Sequence, residues 1–308
     1  MRKTSIAIVG FGKIARDQHV PALAASSAFQ LAAIASPSSR MDGVPWYADL
    51  EALLSAMPTV AAIALCTTPQ VRYATARLAL EAGRHVLLEK PPGVTVSEVL
   101  SLVELARARG VALFASWHSR HARAVEPARA WLADKSVLGV TVTWKEDVRV
   151  WHPGQKWIWK AGGLGVFDPG INALSILTRI LPGIPALLDA ELSYPANCET
   201  PIAAKLSLRT SGGALVRAEF DFRHTGTQTW DLEVVTDAGT LKLSSGGSVL
   251  AANERSVELP AGEEYPSLYA HFADLVVECA IDVDVAPLQL VADAFLSGRR
   301  VVVDPFID

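Results

Sequence analysis

Glu89-Lys90-Pro91 follows the short apolar run Val86-Leu87-Leu88. A lysine there ends a parallel strand at the carboxyl edge of the sheet, where open α/β folds bind their ligands, so Lys90 is expected to face a ligand crevice. Pro91 and Pro92 fix φ and remove backbone donors, so the chain leaves the sheet abruptly. The plain alternative is a solvated loop lysine. A second set of polar groups lies in Gly162-Gly163-Leu164-Gly165-Val166-Phe167-Asp168-Pro169-Gly170-Ile171-Asn172. Pro169 suits the first turn of a helix, which puts Asp168 in the cap region and Asn172 roughly one turn later on a similar face. Two polar side chains then look into one site. The same spacing also serves an Asp168 that only caps and an Asn172 that is solvated.

These groups need a scaffold, and the N-terminus names it. Ser5-Ile6-Ala7-Ile8-Val9 is an apolar run expected of a strand buried on both faces, and it passes directly into Gly10-Phe11-Gly12-Lys13-Ile14-Ala15. This is a dinucleotide fingerprint with Ala as its third small residue. Gly10 permits the tight turn, Gly12 lets the backbone approach a pyrophosphate, and Ala15 allows close helix packing. The N–H groups at the helix start, around Lys13 and Ile14, then hold phosphate. Leu31-Ala32-Ala33-Ile34-Ala35 reads as the second strand, after which an NAD enzyme usually carries an acid for the ribose 2′-hydroxyl. Here the residues are Ser36-Pro37-Ser38-Ser39-Arg40. Serine hydroxyls and a guanidinium donate to a 2′-phosphate that an acid would repel, so NADP is the expected cofactor, with NAD also accepted. An ordinary polar turn remains the alternative.

The alternation of strand and helix continues. Val60 to Leu65 reads as a strand whose carboxyl end carries Cys66-Thr67-Thr68-Pro69 on the cofactor rim, followed by a helix ending near Gly83. Thr95 and Glu98 form a capping box for a helix running to Gly110, before the strand Val111-Ala112-Leu113-Phe114. Pro21 interrupts the expected first helix and predicts a kink or restart. Near residue 120 the pattern changes to strands at 141–144, 203–208, 215–222 and 230–235, with glycine turns at 212–213 and 246–247 and helices at 269–280 and 288–296. The expected fold is therefore an N-terminal Rossmann doubly wound parallel sheet, residues 1–120, with a C-terminal domain on a large, open, mainly antiparallel sheet, residues 121–308. The last helix is expected to pack back on the first domain.

Composition narrows the partners. A formal charge of −4 over 308 residues gives no basic footprint for nucleic acid. Cys66, Cys198 and Cys279 are too scattered for a metal pair or a disulfide framework, which makes a reducing cytoplasm the expected compartment. Arg2 and Lys3 mimic the start of a signal peptide, but Gly10, Gly12, Lys13, Arg16 and Asp17 break the apolar run that follows. No apolar stretch is long enough to span a bilayer. His118, His121 and His152 match no zinc spacing, and no metal is expected.

Together, and in this order, the fingerprint, Glu89-Lys90-Pro91 and the Gly162 to Asn172 motif resemble the glucose-fructose oxidoreductase/inositol dehydrogenase (Gfo/Idh/MocA) family over essentially the whole chain. Ser116 to Arg120, Trp144 to Arg149, Trp151 to Gln155 and Phe167 to Ser175 are similar to the family's aldose 1-dehydrogenase branch, whose substrates are L-arabinose and D-galactose. The chain departs from the broad pattern in having Asn172 and Tyr73 where many members have His. The resemblance implies oxidation of an aldopyranose at C1 to a lactone, and an amide cannot take the hydroxyl proton, so Asn172 only orients the sugar. Asp168 is then the expected base, with Lys90 binding the hydroxyl and stabilising developing negative charge. A neutral Lys90 as base beside a structural Asp168 stays open. Glu146, His118 and His152 are implied hydroxyl partners. Of Trp144, Trp151, Trp157 and Trp159, Trp151 is the one expected to pack on the sugar rather than in a core. The open sheet face is implied as a homodimer or homotetramer interface. A non-catalytic NAD(P)-binding regulator is the alternative, against which the retention of Lys90 and Asp168 argues.

Overall fold

A computed structural model describes residues 3–307; Met1, Arg2 and Asp308 lie outside the described residues. The chain divides into two compact units, Met1–His118 with Glu263–Val285, and Ser119–Gly262 with Ala286–Asp308. The part that returns to the first unit is thus 263–285. The last helix, Ala286–Ser297, expected there, belongs to the second unit instead, where it packs on the helix Phe167–Ile180.

In the first unit, β1 (Thr4–Val9), β2 (Phe29–Ala35), β3 (Trp46–Tyr47), β4 (Ala62–Leu65), β5 (His85–Glu89) and β6 (Leu113–Ser116) join the short strand Ile281–Asp282 in one sheet. Its order is 281–282, β6, β5, β4, β1, β2, β3, and every pairing is parallel. The reversal between β1 and β4 creates the crevice at the carboxyl ends that such sheets use for ligands. The apolar runs are continuous because both faces are covered. Ile6, Ile8, Ile34, Ala62, Ala64 and Leu87 point toward Tyr265, Leu268, Tyr269 and Phe272 of the helix Glu264–Glu278, while Ala7, Val9, Ile63, Leu65, Val86 and Leu88 point into a second cluster with Leu53, Leu80 and Leu102. The capping box at Thr95 and Glu98 is present, and Gly110 ends that helix in the left-handed region at φ 65. At the start of the chain's helical segment, a π-helical turn at Ala15–His19 passes into the α-helix Val20–Ala25, with Pro21 in its first turn. This is the restart its missing N–H requires.

The second unit holds β7 (Val137–Lys145), β8 (Ala186–Pro195), β9 (Ala203–Arg209), β10 (Leu215–Asp221), β11 (Thr229–Thr236), β12 (Gly239–Ser244), β13 (Val249–Ala252), β14 (Arg255–Ser256) and the strand Arg299–Val303. The order is β14, β13, β12, β11, β7, β10, β9, β8, 299–303. β7 with β10, and β8 with 299–303, pair parallel; the other pairs are antiparallel. One face is covered by the helix Phe167–Ile180. Gly170 makes that contact close, since a Cβ there would lie 2.8 Å from Cδ1 of Phe220 on β10. Helix and strand are therefore tied together two residues past Asp168.

Candidate active site

In the first unit the functional groups gather at the carboxyl ends of β1, β4 and β5. Gly10 has φ +87, and a Cβ on it would sit 2.7 Å from the Thr67 amide nitrogen, so only glycine lets the loop after β1 cross the end of β4. Around Gly12 the opposite holds: a Cβ would meet nothing within 4 Å, leaving open space where a pyrophosphate approaches the backbone. Ala15 is fully buried beneath this loop, Ile14 precedes the π turn, and Lys13 pairs with Asp17. Thr67 Oγ1 is buried without a hydrogen-bond partner, while Thr68 and Pro69 start the helix Pro69–Glu81 with no side-chain cap. After β2, Ser36 is buried, Ser38 is exposed and Ser39 is half-buried. The Arg40 guanidinium lies 4.0 Å from the Trp46 ring centroid, and the Trp46 indole donates to the Ser36 carbonyl at 2.9 Å. Arg40 therefore folds back along the end of β2 instead of trailing away. Open backbone at Gly12, an unpartnered hydroxyl at Thr67 and a cation beside Ser36 fit a dinucleotide phosphate chain.

Glu89 does not face that crevice. It is 2 % exposed; Oε1 accepts from the Tyr265 hydroxyl at 2.7 Å and from His19 Nε2 at 3.0 Å, and Oε2 accepts from the Lys90 amide at 2.7 Å. Burial pushes its carboxyl up, but the hydrogen bond and charge of His19, the charge of His118 and the Tyr265 hydroxyl outweigh it and hold the group down to about 2. Glu89 is thus a buried anchor for the Lys90 segment. His19 also bonds the Tyr269 hydroxyl at 2.7 Å, which joins the fingerprint helix, β5 and the helix 264–278. His118 is in this unit too, with Nδ1 2.6 Å from Glu264 and its ring stacked on Tyr265.

In the second unit Asp168, Glu146 and His152 converge. Asp168 lies inside the first turn of the helix Phe167–Ile180, 3 % exposed, and the cap residue is Val166 with no side-chain bond, so Asp168 is not the cap. Glu146, 3 % exposed, follows β7 and accepts from the Trp230 indole at 2.8 Å. The His152 ring stands between the two carboxylates, with Nε2 3.4 Å from Glu146 and Nδ1 3.5 Å from Asp168. Asn172, half-buried, follows Asp168 on the same helix. Trp151 is 39 % exposed and packs edge-on against Trp230 at 4.9 Å, whereas Trp144 is buried beneath the sheet. Two buried carboxylates flanking one imidazole can accept, hold and pass a proton.

Residues 4–116 match the family described as oxidoreductase family, NAD-binding Rossmann fold, GFO_IDH_MocA. Over 309 aligned residues the chain is 44% identical to galactose 1-dehydrogenase of Pseudomonas fluorescens, covering all of both. It belongs to the Gfo/Idh/MocA oxidoreductase family. The crystal structure of a D-galactose-1-dehydrogenase from Rhizobium etli is similar to this Gfo/Idh/MocA chain with TM-score 0.95 and 52% identity, over 100% of this chain and 99% of that one. A 3-ketoreductase from Actinomadura kijaniata, solved with NADP and TDP-benzene, shares the fold at TM-score 0.85 and 19% identity, over 98% and 100% of the two chains.

The sequence reading missed several residues of this Gfo/Idh/MocA site. Arg72, 3 % exposed, donates to the carbonyls of Glu89 at 2.6 Å, of Pro91 and of Thr67, and so fixes both strand ends that carry the expected cofactor contacts. Its place on an ordinary helix gives no local signal. Tyr265, Tyr269 and His19 act through pairings between residues far apart in the chain. Trp230 was read only as part of a strand.

Proposed function

We propose that this chain oxidises an aldopyranose at C1 to its aldonolactone, with D-galactose and L-arabinose as substrates and NADP preferred over NAD. The observation that carries the reading is its end-to-end similarity to a galactose 1-dehydrogenase, and the paired carboxylates around His152 supply a proton acceptor suited to it. Held along the Gly10 to Ile14 loop and at Thr67 to Pro69, a nicotinamide cofactor would supply the acceptor for the hydride that leaves C1. Asp168 takes the C1-hydroxyl proton as the C1–O double bond forms. The Lys90 ammonium donates to the same oxygen and stabilises its developing negative charge. Asn172 donates and accepts hydrogen bonds to orient the ring, Glu146 and His152 hold further hydroxyls, and Trp151 offers an indole face to the sugar's C–H surface. Ser36, Ser38, Ser39 and Arg40 bind the 2′-phosphate, which favours NADP. The working form is a homodimer or a tetramer, in the cytoplasm.

The test is absorbance of the reduced nicotinamide formed by the purified chain with a panel of aldoses and inositols, with NADP and NAD in parallel. Rapid turnover of D-galactose or L-arabinose with NADP supports the reading. Tight cofactor binding without turnover on any sugar would replace it with a regulator.

A further inference from the structure

A proton taken by Asp168 has to leave the site, since the carboxyl must ionise again before the next turnover. Asp168 and Glu146 are almost fully enclosed, each with 4% of its side chain exposed, whereas His152 between them has 16%. Glu146 Oε1 lies 3.4 Å from Nε2, and the neutral ring's proton is assigned to that side because Nδ1 makes no hydrogen bond; Glu146 is itself oriented by the Trp230 indole on its other oxygen. Nδ1 is buried and has no hydrogen-bond partner, although Asp168 Oδ2 stands only 3.5 Å away. A lone pair facing an ionised carboxylate makes no bond. Once Asp168 carries a proton, the same atoms form an O–H donor and a ready acceptor. Phe222 also packs against the ring, at 5.4 Å between centroids, and offers no competing proton group.

We propose that His152 is the proton relay of this site, carrying the substrate proton from Asp168 toward Glu146 and solvent. This rests on the aldose reading and on Asp168 as base. The O–H bond of protonated Asp168 breaks as Nδ1 accepts the proton, returning a carboxylate. The Nε2–H bond then breaks, with its proton passing to Glu146 Oε1 and on to water. The starting tautomer returns when the imidazole turns about its Cβ–Cγ bond, which takes Nδ1 away from Asp168 and lets its proton exchange with water while Nε2 takes one up. No oxidant or further reactant enters these steps.

The experiment compares the unmodified chain with His152→Gln, using NADP and D-galactose in weak buffer and in rising concentrations of imidazole. Loss of the relay lowers kcat by about 10²-fold, within the range for positioned proton transfer, and added imidazole restores part of it. Cofactor affinity stays unchanged. A kcat loss insensitive to imidazole, a rise in KM alone or unchanged turnover each overturns the relay and leaves His152 a sugar contact. No turnover of any aldose by the unmodified chain, with cofactor bound, instead removes the aldose reading and the relay with it. His152→Asn serves the same comparison if His152→Gln does not fold. Independently of activity, nitrogen-15 spectra of the cofactor-free chain, with His152 identified by difference against the variant, are expected to show the neutral ring protonated at Nε2; protonation at Nδ1 would count against the mechanism.

Discussion

Asp168 is buried at the start of a helix it does not cap, with its carboxylate 3.5 Å from His152 Nδ1. Asp168→Ala is therefore expected to lower kcat by about 10²- to 10⁴-fold, the range of a positioned acid–base group. NADP affinity, measured by fluorescence titration, should change far less than turnover, because the proposed role of Asp168 is toward the sugar hydroxyl and not the dinucleotide. Near-normal turnover would remove Asp168 as base and turn attention to Lys90. At this scale the sequence was legible where a residue type is costly in its place. A carboxylate beside Pro169 in an apolar motif, or a lysine ending a buried strand, stands out before any coordinates exist. Arg72 was illegible because its helix spacing suits a solvated face as well as the buried position it occupies. Only the tertiary approach of β4 and β5 gives its guanidinium three carbonyls to bind.

Between elements, the two fingerprint glycines separate folding from binding. Gly12→Ala meets open space, so its melting temperature should match the unmodified chain while dinucleotide affinity drops, because the methyl occupies the approach of the phosphates. Gly10→Ala puts a Cβ against the Thr67 backbone at a positive φ and should destabilise the fold itself by about 1–3 kcal/mol. Thermal melts with and without NADP distinguish the two; equal loss of stability in both variants would contradict the assignment of Gly12. A second link joins β5 to the fingerprint helix through Glu89 and His19. Glu89 titrates near 2 in the folded chain against an ordinary 4.5. Its contribution is full above about pH 4.5 and is lost as pH falls toward 2, where the unfolded chain binds the proton first. Burial lowers His19, yet Cys66, Tyr269 and Glu89 lift it well above its ordinary value, so its contribution is full below about pH 6.5 and fades as pH rises through the raised value. Urea unfolding of Glu89→Gln across pH 2 to 5 is expected to lose most of this acid slope, worth up to about 3 kcal/mol. An unchanged slope would assign acid sensitivity to other carboxylates. Period and capping had shown these strands and helices, while the pairing of residue 19 with residues 89 and 269 was beyond any local pattern.

Across the whole molecule, composition could not say where the hydrophobic half of the chain would go. In the nine-stranded sheet the covered face takes Val140, Val142, Val216, Phe220, Leu232 and Val234. The alternate positions of these strands and their neighbours carry Thr141, Lys205, Arg217, Glu219 and Glu233, with Lys145 bonded to Glu219 at 2.8 Å and Lys242 to Asp231 at 3.1 Å. Val235, 41 % exposed, is an apolar side chain among them. An interface on this face would thus be charged at its centre. Charged pairs set register and orientation more than they add affinity, and they weaken as salt screens them. Light scattering is therefore expected to give twice the 32.9 kDa chain mass, or four times that mass for the tetramer, at low ionic strength. Arg217→Glu, which faces Thr141 and Ser207 across its neighbouring strands, should shift the equilibrium toward the monomer without changing the melt of the isolated chain. A monomer mass for the unmodified chain at assay concentration would show that this face stays open and that the polar ladder serves solubility alone.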